Sequence, residues 1–222
     1  MDNLAKSKNQ HLRLAILVAV LLTAGLTFAY FKIGLIALIL IGIPAPFAYL
    51  LWYSRYLKHP IEPSVIVPSF LLSVAGFEFH LIEEYFGQYA AAISRIFGFP
   101  WTESSFFVVV FTLSGALMLV AVGLYYQKEI AGFIAIMFLV TRIAEVALFI
   151  FPFIKPIVEP DLATTVSQNI SGTFVANMPS YYYQTTGVYY FPGIYTVVLP
   201  LIPALVTLYQ IWKFKASKTN YE

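Results

Sequence analysis

His80, Glu83 and Glu84 lie within Phe77–Phe86, FEFHLIEEYF, a stretch that is apolar apart from these three and Glu78, in a strongly hydrophobic chain of 222 residues. An ionisable side chain near the centre of a bilayer costs about 2.5–3.5 kcal/mol on insertion scales, so such groups face the protein interior, pair and carry function. On a helix, positions i, i+3 and i+4 share one face, which sets the imidazole beside both carboxylates. One imidazole with two carboxylates makes a proton relay or half of a metal site.

A second polar pair, Arg142 and Glu145, falls in a later apolar run. A bundle that turns both faces inward at similar depth gathers one imidazole, three carboxylates and one guanidinium in a common pocket, with Arg142 offsetting part of the negative charge. Glu78 is two residues from His80 and so lies on a different face. Three chemistries fit the five groups His80, Glu83, Glu84, Arg142 and Glu145. In the first, His80 with Glu83 or Glu84 and Glu145 binds a divalent metal; imidazole and carboxylate oxygens suit zinc, iron or manganese, and His80, Glu84 and Glu145 are the candidate ligands. In the second, one acid and one base move a proton within a lipid-like substrate. In the third, the groups pass protons or ions through a conduit. A purely structural reading has Arg142 and the glutamates tying helices together while His80 satisfies a backbone carbonyl; five groups at matched depth favour function over it.

The elements that position these residues are membrane helices. Apolar residues make up 60% of the chain and charged ones 11%, with a mean hydropathy of +0.79, far from the usual balance of a soluble domain. The absence of cysteine excludes disulfides, thiolate metal sites and cysteine nucleophiles. A formal charge of +2, with basic residues near the ends of apolar runs, gives no reason to expect nucleic acid.

A spanning helix needs about 20 mostly apolar residues, and such runs occur at 12–31, 33–54, 64–86, 105–126, 129–151 and 191–213. The expected fold is therefore an all-α integral membrane protein, a single six-helix transmembrane bundle in contact with the lipid bilayer. The first run is read as a retained helix rather than a signal peptide, because it exceeds a normal h-region and no clear small-residue cleavage site follows. Pro44 and Pro46 are expected to kink or break the second span locally. Lys and Arg accumulate in cytoplasmic loops. Placing Lys6, Lys8, Arg13, Arg55, Lys58, Lys128, Lys213, Lys215 and Lys218 inside, against Lys32, Arg95 and Lys155 outside, puts both termini in the cytoplasm.

That topology leaves loops 87–104 and 152–190 on the outer side. The longer one contains Pro152, Pro156, Pro160 and Pro179, a polar centre, and Tyr181, Tyr182 and Tyr183 leading to Tyr189 and Tyr190. Loops of such length are functional or disordered, and so many aromatics argue for an ordered cap at the membrane interface. Asn169-Ile170-Ser171 fits a glycosylation acceptor there. Trp52, Trp101 and Trp212 lie near span ends as interfacial anchors, and His11 and His59 are read the same way. Gly115 and Gly123 would permit close helix approach.

His80-x-x-Glu83-Glu84, together with Tyr190-Phe191-Pro192-Gly193-Ile194-Tyr195-Thr196 running into the last apolar segment, resembles the HxxEE membrane-protein family. Those proteins carry His-x-x-Glu-Glu on one helix, Asn-x-x-x-His on a later one and Tyr-x-Pro-Gly-x-x-Thr at the start of the last. The resemblance covers roughly residues 64–213. Where the family has Asn-x-x-x-His, this chain has Thr141-Arg142-Ile143-Ala144-Glu145, a carboxylate in place of the second imidazole. The family has no established activity, so the resemblance implies an architecture and candidate positions rather than a reaction. A smaller similarity, over His80–Phe86, is to the emopamil-binding, sterol-isomerase-like membrane proteins. It implies a proton shuttle in which Glu84 and Glu145 are the matching acids.

The leading functional expectation is an intramembrane site for acid–base or metal-assisted chemistry on a small hydrophobic substrate. The alternative is a non-catalytic accessory subunit of a larger membrane complex, docking on partner subunits through loop 152–190. A transporter is disfavoured by the lack of an inverted repeat and of paired interrupted helices.

Overall fold

The computed structural model describes residues 2–87, 89–97, 101–149 and 191–213. The expected cap at 152–190, with the Asn169 triplet, lies outside the described residues, as do Lys215 and Lys218. The described residues are helical apart from short turns, with no strand among them. The helices are α1 (Asp2–Ile33), α2 (Leu35–Tyr56), α3 (Pro63–Phe86), α4 (Tyr89–Phe97), α5 (Glu103–Tyr125), α6 (Glu129–Leu148) and α7 (Val198–Lys213).

Five of these, α1, α2, α3, α5 and α6, are long and apolar enough to cross a membrane. The sixth expected span, 191–213, is divided between turns at 192–197 and the 16-residue α7, about 24 Å long at 1.5 Å per residue. Large apolar side chains such as Phe31, Phe47, Phe111 and Leu119 point outward. A surface of that kind requires lipid, since soluble monomers rarely expose extended apolar patches.

The α1–α2 connection is a tight hairpin, turned at Gly34 with φ +68, a conformation that glycine adopts without a Cβ penalty. In α2 the backbone widens to π-helical turns at Leu38–Gly42, just before Pro44, and again at Trp52–Tyr56. Ile43 N donates to Leu38 O at 2.8 Å and Leu57 N to Trp52 O at 2.8 Å. The expected disturbance at Pro44 thus takes the form of a π turn ahead of a proline that has no N–H to give. The segment expected as loop 87–104 holds α4, which buries Tyr89, Ala92 and Ile93 against the bundle. Nine residues of mixed polarity are too short to register as a span.

Trp52 corrects one expectation. It is fully buried, its indole Nε1 donating to Glu129 O at 2.7 Å and its ring edge-on to Phe133, so it joins α2 to α6 rather than anchoring at the interface. Trp212 is exposed, as an interfacial anchor requires. Of the two glycines expected to allow close approach, a Cβ on Gly123 would stand 2.6 Å from Ala131 Cβ, whereas one on Gly115 would meet nothing within 4 Å.

The packing that matters most for the site is α3 on α7, the most extensive helix pair, with α6 against α2, α5 and α7. A Cβ on Gly76 of α3 would run into the Leu199 carbonyl and lie 2.7 Å from Pro200 N. Ser73 Oγ donates to Pro200 O at 2.9 Å, and Ser69 Oγ to Gln210 Oε1 at 3.1 Å. Small residues at a seam let membrane helices approach, and hydroxyls then bond across it. Gly76→Ala is expected to cost about 1–3 kcal/mol through overpacking, read as reduced unfolding stability in detergent. Gly115→Ala should leave stability unchanged or slightly raised; equal losses at both positions would refute the seam.

Candidate functional site

Three segments build the site: the last two turns of α3, the last two turns of α6, and the turns preceding α7. His80 and Glu84 stand one above the other on α3 and are both buried, while Glu83, half-buried, is rotated toward the start of α7. Arg142 and Glu145 come from α6, buried to 6% exposure each. The third and fifth expected spans therefore meet, and four of the five sequence candidates share one cluster. Glu78 is elsewhere, accepting from Ser114 Oγ of α5 at 2.6 Å.

The fifth candidate, Glu83, has a different place. Its carboxylate accepts from Thr196 N at 2.8 Å, Thr196 Oγ1 at 2.6 Å and Tyr195 N at 3.3 Å. It thereby caps the backbone leading into α7, where free N–H groups favour a negative charge. Thr196 was not a sequence candidate, yet it connects this cap to the imidazole: His80 Nδ1 lies 3.1 Å from Thr196 Oγ1. With the hydroxyl proton donated to Glu83 Oε2, Thr196 Oγ1 accepts from His80 Nδ1–H. The network assigns the tautomer. Nε2 is left with its lone pair whenever the ring is neutral.

Nε2 faces Glu84 Oε1 at 3.4 Å and Glu145 Oε2 at 3.7 Å. Neither His80 Nε2 nor Glu84 Oε1 has a hydrogen-bond partner, although buried polar atoms almost always do. One ligand atom from each of His80, Glu84 and Glu145 falls within 4.8 Å of the others. A lone pair and two carboxylate oxygens repel unless a cation, proton or metal, sits between them.

Arg142 balances part of this charge. Its Nη1 donates to Glu145 Oε2 at 2.8 Å, and its guanidinium lies between Phe77 and Phe138, 4.2 and 4.8 Å from the ring centroids. Aromatic faces stabilise a desolvated cation. Phe77 and Phe138 carry no sequence signal for this role beyond lying one turn from His80 and Arg142.

Gly193 closes the site. Its φ is +93, and a Cβ there would run into His80 Cε1 and come within 3.1 Å of Glu84 Cγ and His80 Nε2. Both constraints require glycine. Phe191 anchors this turn, fully buried against the rings of Tyr89 and Phe149. The Tyr190–Thr196 motif was the available signal for Gly193 and Thr196.

A cavity of about 700 Å³ opens beside the cluster between α1, α2, α5 and α6. Its walls include Leu22, Leu40, Leu113 and Met137, and it reaches Arg142 and Glu145. An apolar chamber with a few convergent polar groups is the usual form of a small-molecule site.

No protein-family model matches the chain, and no curated protein or solved structure is significantly similar to it. The geometry alone therefore carries the functional argument.

The Arg142–Glu145 pair can be tested by a double-mutant cycle in chelator-treated protein. Arg142→Met alone should cost about 3–5 kcal/mol by stranding a buried carboxylate, and adding Glu145→Gln should recover most of that loss in equilibrium unfolding from mixed micelles. Additive losses would mean that the two side chains do not pair.

Proposed function

We propose that this chain is a six-span membrane protein with both termini cytoplasmic. In this reading His80, Glu84 and Glu145 hold a divalent metal, and the site performs metal-assisted acid–base chemistry on a small hydrophobic substrate beside Arg142. Kinship with the HxxEE proteins belongs to the same proposal. It is supported by the meeting of its two motif segments, since Gly193 and Thr196 pack directly on His80.

One observation carries the metal reading: two unpartnered atoms, His80 Nε2 and Glu84 Oε1, converge with Glu145 Oε2. Bonds of about 2.0–2.2 Å from zinc to nitrogen or oxygen separate tetrahedral ligand atoms by about 3.3–3.6 Å. The separations of 3.4 and 3.7 Å from Nε2 are close to that, and the two carboxylate oxygens lie within 4.8 Å of each other. Charge-assisted N–H···O bonds would instead be about 2.7–2.9 Å. The chain of Nδ1–H to Thr196 to Glu83 supports the same reading, because metal-binding histidines almost always donate their other N–H to a fixed acceptor. A metal there would act as a Lewis acid and ease ionisation of bound water. The chain's own groups then orient the substrate's polar end at Arg142, keep bulk water out through Gly193 and Phe191, and hold or accept a proton at the carboxylates.

Elemental analysis of purified protein beside its His80→Ala variant, both checked for intact folding, tests this. Stoichiometric zinc, iron or manganese lost in the variant supports the metal site; no metal in either leaves the proton relay and removes the metal. Thr196→Val should weaken metal affinity about 10–100-fold while retaining the ligands, measured by competition with a chromogenic chelator. Unchanged affinity would show that the hydroxyl does not orient the imidazole.

A further inference from the structure

The cavity beside the cluster has a polar end of which the metal reading uses Glu145 and Arg142 but not Lys32. Lys32, in the last turn of α1, and Trp101, ahead of α5, line it together with Thr141, Arg142 and Glu145. Chain direction brings these residues to the same end of the bundle, the end at which α1 turns back through Gly34 and α6 stops at Leu148. Beyond them the chamber is walled by apolar side chains from four helices.

Among the residues that line the cavity, Lys32 and Arg142 are two cations against one carboxylate, Glu145, whose Oε2 already accepts from Arg142. Arg142 keeps spare donors: its buried Nε has no partner, and Nη2 reaches only Thr141 Oγ1 at 3.5 Å. Lys32 is exposed, its Nζ 5.7 Å from the Phe28 ring centroid, with no carboxylate in ion-pair range among the described residues. A nine-tenths-buried guanidinium with an unmet N–H on the wall of an apolar chamber is costly unless something supplies an acceptor. Guanidinium geometry is matched to carboxylate and phosphate oxygens.

We propose that the cavity takes a long-chain amphiphile with an oxyanion head, a carboxylate or a phosphate monoester. The head docks between Lys32 and Arg142, the chain fills the space beside Leu22, Leu40, Leu113 and Met137, and the atoms next to the head lie nearest Glu145. This names the substrate class of the site proposed above and rests on that reading.

Tryptophan quenching tests it, because Trp101 lines the cavity. Purified protein in micelles at alkaline pH is titrated with dibromostearate, dibromostearyl phosphate and dibromostearyl alcohol, which share one chain and differ in head. The Trp101→Phe variant reports the contribution of Trp52 and Trp212. Saturable quenching of Trp101 by one or both anions, at about tenfold lower concentration than by the alcohol, is the expected result, and which anion acts identifies the head. Lys32→Gln, at an exposed position that leaves the core intact, should remove about threefold or more of that preference, and Arg142→Gln more. Quenching by the alcohol equal to that by both anions, or a preference untouched by Lys32→Gln, would overturn the proposal. Metal content of the same samples separates the two readings: metal-bearing protein without head-group preference sinks the amphiphile alone, while metal-free protein with the preference sinks the metal alone.

Discussion

The hydroxyl of Thr196 is the hinge of the whole arrangement. It gives its proton to Glu83 and therefore must receive one from His80 Nδ1, which turns the Nε2 lone pair toward Glu84 and Glu145. The convergence of Nε2 with the two carboxylates follows from that single orientation. A ring flipped or carrying its proton on Nε2 would satisfy Glu84 with an ordinary hydrogen bond and leave no convergent donor set. Local polarity on α3 alone could not achieve this, because the hydroxyl comes from the turns before α7, over a hundred residues later.

Low dielectric makes such control affordable only where charges are matched nearby. Unpaired ions inside a membrane protein are expensive, and this bundle gathers His80, Glu84, Arg142 and Glu145 in one cluster, with Arg142 flanked by two aromatic rings and joined to Glu145. The surrounding helices are brought to contact distance by the absence of side chains. Tyr56 packs where a Cβ on Gly132 would stand, and the Leu199 carbonyl where one on Gly76 would. Small residues thus fix the distances at which the polar ones can meet.

Much of this was legible in the sequence, for identifiable reasons. Spans of high hydropathy and the i, i+3, i+4 spacing of His80, Glu83 and Glu84 located the helices and one face of the cluster, and matched depth anticipated the meeting with Arg142 and Glu145. The distinct duties of the adjacent glutamates were not legible. They differ by one residue in the chain but by about 100° around the helix, and only the approach of the Thr196 turn decides which becomes a cap and which faces the imidazole. Trp52 misled because position near a span end says nothing about which side of the helix faces lipid. The short α4 escaped because its length gives too few residues for a spanning signal. Resemblance by motif pointed to Gly193 and Thr196 as a pair, while their contact with His80 is a property of three-dimensional packing.

The division of the cluster among α3, α6 and the turns before α7 also sets an order of assembly during synthesis. When the first half of the chain has entered the membrane, His80 and Glu84 are present without Arg142 or Thr196, and the charges on α3 have no protein partner. They become compensated in two stages, first when α6 arrives with its guanidinium and then when the final turns lay Gly193 over the imidazole. The nascent protein therefore carries the polar surface of α3 uncovered until the turns before α7 are made, over a hundred residues after His80, and α7 acts as the latch that makes the interior competent.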